Sequence, residues 1–390
     1  MGRRGGPWRT APDRGSVIVP GPLPSRRDFD VPMTIASSRR AWLLATLSAA
    51  LSACSMLPTA PPVAPSPPPT EPPPPVIKPA PKPPRIGLAL GGGAARGFAH
   101  IGVIQVLEEN GIQVDIIAGS SMGAYIAAVW GFGHDGLEME RLARKNEGRF
   151  GLRRLIDPVF PPRQGFLRGE AIKARLQEVI GERHFSDLVR PVRIVATDLN
   201  TLERVVFTKG EVATAVHASI AIPGICVPVA VGDRTYMDGG ISDPLPVDVL
   251  REMGIEKVIA VNVIPPPSFM RCAEERQREQ AVMQGRHEGI LGRVSRRLNY
   301  FAPGNILDTM MRAVHGAQLR VAETACRQAD VVLRPLALDA SWIEFNKPMK
   351  YIELGRRVAE EHLDEIKELV LQGTADHEHQ DAERAVGSIA

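Results

Sequence analysis

The chain has 390 residues, 44% hydrophobic and 23% charged, a balance that excludes a collagenous or wholly disordered protein. Its formal charge of +3 is unevenly held: residues 1–53 carry eight Arg against three Asp, and the remainder is net negative, which argues against nucleic acid as a partner. Four cysteines (Cys54, Cys226, Cys272, Cys326) form no CxxC pair and no zinc spacing, so a disulfide scaffold and a metal ribbon are both ruled out.

Ser38-Arg39-Arg40 precedes an apolar run from Ala41 to Leu51 and then Ser52-Ala53-Cys54. A cationic start, a short apolar stretch and small residues before a cut site read as a secretory signal over residues 1–53. The fourteen residues from Ala41 to Cys54 fall short of the ~18 needed to cross a bilayer. Met33 is a better start for such a signal than Met1, which would make residues 1–32 an over-long start. Leu51-Ser52-Ala53-Cys54 resembles the lipobox of bacterial lipoproteins. That resemblance implies a lipid on the Cys54 sulfur and attachment to a membrane of the cell envelope. Ser55, rather than an Asp, resembles lipoproteins sent to the outer membrane, facing the periplasm. Fifteen of the 35 prolines then lie between Pro58 and Pro84. With φ held near −65° and few amide donors, residues 54–84 are expected to be a disordered, extended tether, of which Pro58–Pro84 alone reaches about 80 Å.

From residue 85 to 371 the pattern is that of one α/β domain, followed by a polar tail, 372–390, expected to be disordered. Ile86–Leu90 reads as a buried strand feeding Gly91-Gly92-Gly93, and the helix after it stops at Asn110-Gly111. Val114–Ala118 is the next strand, followed by Gly119-Ser120-Ser121-Met122-Gly123 and a helix over Ala124–Phe132. Later strands are expected at Val192–Ala196, Arg204–Phe207, Lys257–Val263 and Asp330–Leu333. Helices at Glu170–Ile180 and Val247–Met253 separate some of them. Alternation of this kind predicts a mostly parallel central sheet covered on both faces, a three-layer α/β/α fold.

Gly119-x-Ser121-x-Gly123 is the sharpest local feature. A nucleophile on a tight strand-to-helix turn needs glycine on both sides, because neighbouring backbone comes too close for a Cβ. The helix N-terminus that follows aims amides and positive dipole at the hydroxyl. Gly91–Gly97 is a second strand–loop–helix element with bare amides suited to a phosphate or an oxyanion. The phosphate readings fit poorly: no Gly-Lys-Ser/Thr ends the loop, and Arg96 or Ala94 stands where a dinucleotide fingerprint needs glycine. Arg96 reads as a brace for the loop carbonyls. A base for Ser121 is less evident. The downstream histidines (134, 184, 217, 287, 315, 362, 377, 379) sit in no glycine-marked loop. Asp238-Gly239-Gly240 is either a desolvated carboxylate serving as base or an ordinary exposed Asp in a type I′ turn.

These elements, in this order, resemble the patatin-like phospholipase family. Leu88–Val103 is similar to its glycine-rich block, Gly119–Gly123 to its serine turn and Asp238-Gly239-Gly240 to its aspartate motif. Ala196-Thr197-Asp198-Leu199, Ala218–Gly224 and Pro244-Leu245-Pro246-Val247 agree as well. The resemblance implies an acyl-ester hydrolase acting on lipids without metal or cofactor, through a Ser-Asp dyad. Ser121 would be the nucleophile, Asp238 the base and the Gly92 and Gly93 amides the oxyanion donors, with Gly91, Arg96, Gly97, Gly119, Gly123, Gly239 and Gly240 in support. Ala94 departs from the family's fourth glycine, and Leu202 from a glycine after Ala-Thr-Asp-Leu. Competing readings are a Ser-His-Asp esterase, a non-catalytic lipid-binding envelope protein and, more distantly, a dinucleotide-binding domain. The apolar stretch between Phe150 and Phe166 is expected to pack its apolar side on the core, the alternative being a membrane-contacting flap. Arg271–Arg297 reads as a solvated helical face, and Cys226, Cys272 and Cys326 as isolated thiols.

Overall fold

A computed structural model describes residues 86–145, 147, 155–269, 305–338 and 342–371. The signal segment 1–53, Cys54, the tether 54–84, the stretch Arg271–Arg297 with Cys272 and the tail 372–390 lie outside the described residues.

The sheet is built from β1 (Ile86–Leu90), β2 (Ile116–Ser120), β3 (Val192–Asp198), β4 (Arg204–Phe207), β5 (Val229–Val231), β6 (Arg234–Asp238), β7 (Lys257–Val261) and β8 (Val331–Leu333). Its order is β5-β6-β3-β2-β1-β7-β8, with β4 also paired to β3. The β3-β2-β1-β7-β8 portion is parallel throughout. β4 and β6 run antiparallel to β3, and β5 antiparallel to β6. The β5–β6 hairpin was not among the expected elements. Its signal is present in Val229–Asp238, where Gly232-Asp233 separates two short β-prone runs and Gly232 takes φ 64°.

The helices include α1 (Ala99–Glu109), α2 (Met122–Gly131), α3 (Gly136–Arg144), α4 (Glu170–Ile180), α5 (Val212–Ser219), α6 (Val247–Glu252), α7 (Ile306–Cys326) and α8 (Pro348–Glu361). Strand side chains alternate between two cores, as a period of two requires. Leu88, Leu90, Ile117 and Ile259 meet α1, α2 and α8 on one face. Ala89, Ala118, Val258 and Ala260 meet α6 and α7 on the other. The three-layer expectation therefore holds. α1 and α8 cross without side chains between them: a Cβ on Gly102 would overlap the Ile352 carbonyl, and one on Gly355 the Ala99 carbonyl.

Among the described residues, three non-glycine residues have positive φ: Ala94 (50°), Ser121 (53°) and Leu202 (62°). Two of them are the positions where glycine was expected, so the loops keep the left-handed shape and carry its strain. Leu202 is 65% exposed and gains little packing in return. Left-handed geometry costs an L-residue about 1–2 kcal/mol, part of which glycine gives back as unfolded-chain entropy. Leu202→Gly is accordingly expected to stabilise the protein by about 1 kcal/mol in equilibrium denaturation.

Candidate active site

One strand gathers the site. Along β3, Ile194 and Val195 pair with β2 on one side and β4 on the other, while Ala196 and Thr197 pair with β4 and β6. A residue has one neighbour per edge, so β2 and β6 share an edge of β3 and meet there end to end. Ser120 stands beside Val195, and Asp238 beside Ala196. Residues far apart in the chain thus become neighbours one step apart on a single scaffold strand.

Ser121 Oγ donates to Asp238 Oδ2 at 2.6 Å, and both residues are buried. Ser121 sits at φ 53°, ψ −122°, immediately before α2. The turn is as tight as the two glycines suggested: a Cβ on Gly119 would press on the Ala124 backbone, and one on Gly123 on the Leu90 carbonyl. Ser219 Oγ, buried at the end of α5, accepts the Ser121 N–H at 2.8 Å and holds this geometry from outside. Ser219 lies in the Ala218–Gly224 block, which by itself gave it no role.

Asp238 ends β6 and opens a short 3₁₀ turn, so the exposed type I′ alternative does not apply. Oδ1 accepts the Gly240 N–H at 2.7 Å. Thr197 Oγ1 donates to the Asp238 carbonyl at 2.9 Å. Gly239 runs so close to Val195 O and Ser120 Oγ that a Cβ would not fit. Burial pushes the Asp238 carboxyl up to about 6, against the opposing pull of the hydrogen bonds from Ser121 and Gly240. Such a carboxylate is a better proton acceptor than a solvated one and still ionised at neutral pH. Among the described residues no histidine hydrogen-bonds to Ser121 or Asp238; His217 meets the Arg168 carbonyl and His315 the Pro265 carbonyl.

The glycine loop faces the same cavity, about 110 Å³ in volume, to which Gly92, Gly93, Ala94, Ser121 and Asp238 all contribute. Here the arrangement differs from the expectation. The Gly91 N–H donates to Val261 O at 3.1 Å and the Gly92 N–H to Pro244 O at 2.9 Å, so Gly92 is committed within the fold. Among the described residues none accepts from the Gly93 or Ala94 amide, which moves the open pair one residue along. Arg96 does brace the loop, with Nε 3.2 Å from Gly93 O. His100, which precedes the serine turn in the chain, lies fully buried with Nε2 2.8 Å from Gly91 O. Burial lowers its pKa to about 4, so the ring is neutral and ties the loop without adding charge. Gly97 packs against Met122, locking loop and serine turn together.

The outer wall comes from α7 and the chain after β8. Met311, Val314 and Trp342 join Ile222, Pro223 and Ile241 as apolar lining, and Arg312, His315 and Gln318 add polar groups. Cys226 and Cys326 are free and buried, in line with isolated thiols.

Residues 88–251 match the family described as "Patatin-like phospholipase". The chain is 41% identical over 182 residues to an uncharacterized NTE family protein of Mycobacterium tuberculosis, covering 46% of this chain and 49% of that one. It is 32% identical over 180 residues to lysophospholipase NTE1 of Cryptococcus neoformans, covering 46% of this chain and 11% of the relative. A 33% identity over 183 residues relates it to patatin-like phospholipase domain-containing protein 6 of Mus musculus, with 46% and 13% covered. The match thus spans about half the length of the first of these relatives and far less of the others. Among solved structures the chain is similar to VipD from Legionella pneumophila, at 14% identity, 73% and 67% coverage and a TM-score of 0.38. Residues 88–251 are thus similar to the patatin-like phospholipase family, within a sheet that continues to Leu333.

Proposed function

We propose that the chain hydrolyses acyl esters of lipids, in the manner of a phospholipase A or lysophospholipase, through a dyad of Ser121 and Asp238. The observation that carries this reading is the 2.6 Å contact between a strained, buried serine hydroxyl and a desolvated carboxylate. Asp238 takes the Ser121 proton as Oγ attacks the ester carbonyl, and the developing oxyanion sits against the Gly93 and Ala94 amides. Each donor of this kind is typically worth ~3 kcal/mol in the transition state. The protonated carboxyl then gives its proton to the leaving alcohol, and its carboxylate next activates the water that cleaves the acyl-enzyme. An apolar cavity wall with Arg and Gln at hand suits a lipid ester near its polar head. The names of the fungal and mouse relatives support lipid as substrate class. A lipid on Cys54 would hold the domain at an envelope membrane, a proposal that rests on the N-terminal sequence alone.

Fluorophosphonate labelling tests the reading. The wild-type chain is expected to label at Ser121 and to hydrolyse short-chain esters, and Ser121→Ala to lose both while keeping its circular dichroism and melting transition. Full activity in Ser121→Ala would end the proposal. A Ser-His-Asp esterase would instead lose as much activity on substitution of one histidine.

A further inference from the structure

The segment from residue 155 to 168 meets only in part the expectation that its apolar side packs on the core. Leu155, Asp157 and Val159 are partly covered, whereas Ile156, Pro158 and Phe160 face solvent. Phe160 is 95% exposed. This orientation is pinned. Asp157 Oδ1 accepts the Gly169 N–H at 3.0 Å and Oδ2 the Ala171 N–H at 2.9 Å, which anchors the carboxylate at the start of α4. Pro158 bridges to Leu167, and the Val159 N–H donates to Phe166 O at 2.8 Å. With an alternation of two, slipping Asp157 outward would turn Ile156 and Phe160 inward, so the carboxylate anchor fixes the apolar ridge outward.

Its outward-facing charges up to residue 169 are cationic, and the next acid, exposed Glu170, opens α4. Asp157 is the only acid between residues 155 and 169, and it points inward. Arg163 and Arg168 are exposed, and among the described residues neither meets a carboxylate. The segment that carries the ridge is also bonded to a loop of the active-site cavity. Phe166 and Leu167 amides both donate to Ile225 O, at 2.8 and 2.9 Å, and Val227 returns a bond to Leu167 O. Ile222 and Pro223, at the start of that same loop, line the cavity over Ser121.

We infer that Ile156, Pro158 and Phe160 dock this face onto an anionic lipid surface, with Arg163 and Arg168 at the headgroups. An apolar crest flanked by unpaired cations matches the layering of a headgroup–acyl boundary. The purpose of the contact rests on the lipid-hydrolase reading, but its test does not need turnover. The full chain carrying Cys54→Ser and Ser121→Ala is compared with the same chain also carrying Phe160→Trp. Both are mixed with equimolar phosphatidylglycerol/phosphatidylcholine vesicles containing brominated acyl chains. The emission added by the Phe160→Trp substitution is expected to be quenched on these vesicles and much less on phosphatidylcholine alone. Phe160→Ser should weaken partitioning roughly tenfold or more, with the melting transition and short-chain ester hydrolysis of the Ser121 form unchanged. Added emission that is unquenched on the anionic vesicles overturns the docking surface. An active Ser121→Ala chain would instead overturn the hydrolase, and the docking surface would still stand or fall on the quenching.

Discussion

Asp238→Asn is expected to lower kcat on the order of 10³-fold and, at pH 7, to raise the melting temperature. Both effects follow from one geometry. Asparagine retains an oxygen for the Gly240 N–H, now 2.7 Å from Oδ1, and fills the same volume, so the fold is kept. It cannot take a proton from Ser121 Oγ. The stability effect comes from burial, which holds the Asp238 carboxyl at about 6 when an unperturbed one sits at 3.8. Because the folded value is the higher, protonated Asp238 favours the folded state below pH 3.8, and that contribution is lost as the pH rises through about 6. At neutral pH the buried charge therefore weighs against folding, by about 3 kcal/mol at most on the usual conversion. Asparagine is neutral at every pH and escapes this cost. The melting-temperature difference between variant and wild type should be largest above about pH 6 and vanish near about pH 4. Asp243, also buried and also pushed up to about 6, remains in both proteins, so the difference between them is the quantity to follow. Wild-type kcat/KM should rise with pH and level off above about 6, as the carboxylate becomes available. A variant of lower or equal stability at pH 7 would show that the carboxylate is better solvated than its burial indicates.

The second large effect is expected from Gly355→Ala, far from the reacting groups. The α1–α8 crossing has backbone against backbone, and an added methyl at Gly355 would fall on the Ala99 carbonyl; one at Gly102 would fall on that of Ile352. These obstacles are main-chain atoms, so the helices must separate. Tyr351 and Ile352 of α8 are fully buried, and Arg356 forks onto Glu109 of α1 at 3.0 Å, so separation breaks packing and an ion pair together. Overpacking of this kind costs about 3 kcal/mol, or roughly 10 °C in a thermal scan for a domain of this size. Arg356→Ala, which removes only the exposed ion pair, should change the transition far less. α8 lies beyond the span that matches the family, yet its Tyr351 and Ile352 are buried in the same core as α1 and α2.

Several of these features could be read from the residues and several could not, and the division has a physical basis. Gly119 and Gly123 announce the serine turn because steric exclusion acts on immediate neighbours. Gly111 ends α1 for a similarly local reason, at φ 66°. The strand bounds drifted by a residue or two: β2 runs Ile116–Ser120 instead of Val114–Ala118. The Gly92 amide, expected to be open, is instead occupied by the Pro244 carbonyl, a partner with no signature near the loop. Ser219 and His100 were missed for the same reason, since each acts on residues outside its own motif. Part of the 155–168 segment was misread, because apolar residues usually face inward and only the inward commitment of Asp157 reverses them.

The groups proposed to react and much of the wall that would meet the substrate are written in different stretches of the chain. Ser121, Asp238 and the glycine loop fall within the family span, whereas Met311, Arg312, His315, Gln318 and Trp342 come after it. On the proposed function, the choice of ester would therefore be set in part by residues after Arg251, and the bond-breaking step by residues before it. A chimaera that exchanges residues 305–342 between relatives would transfer preference without transferring chemistry.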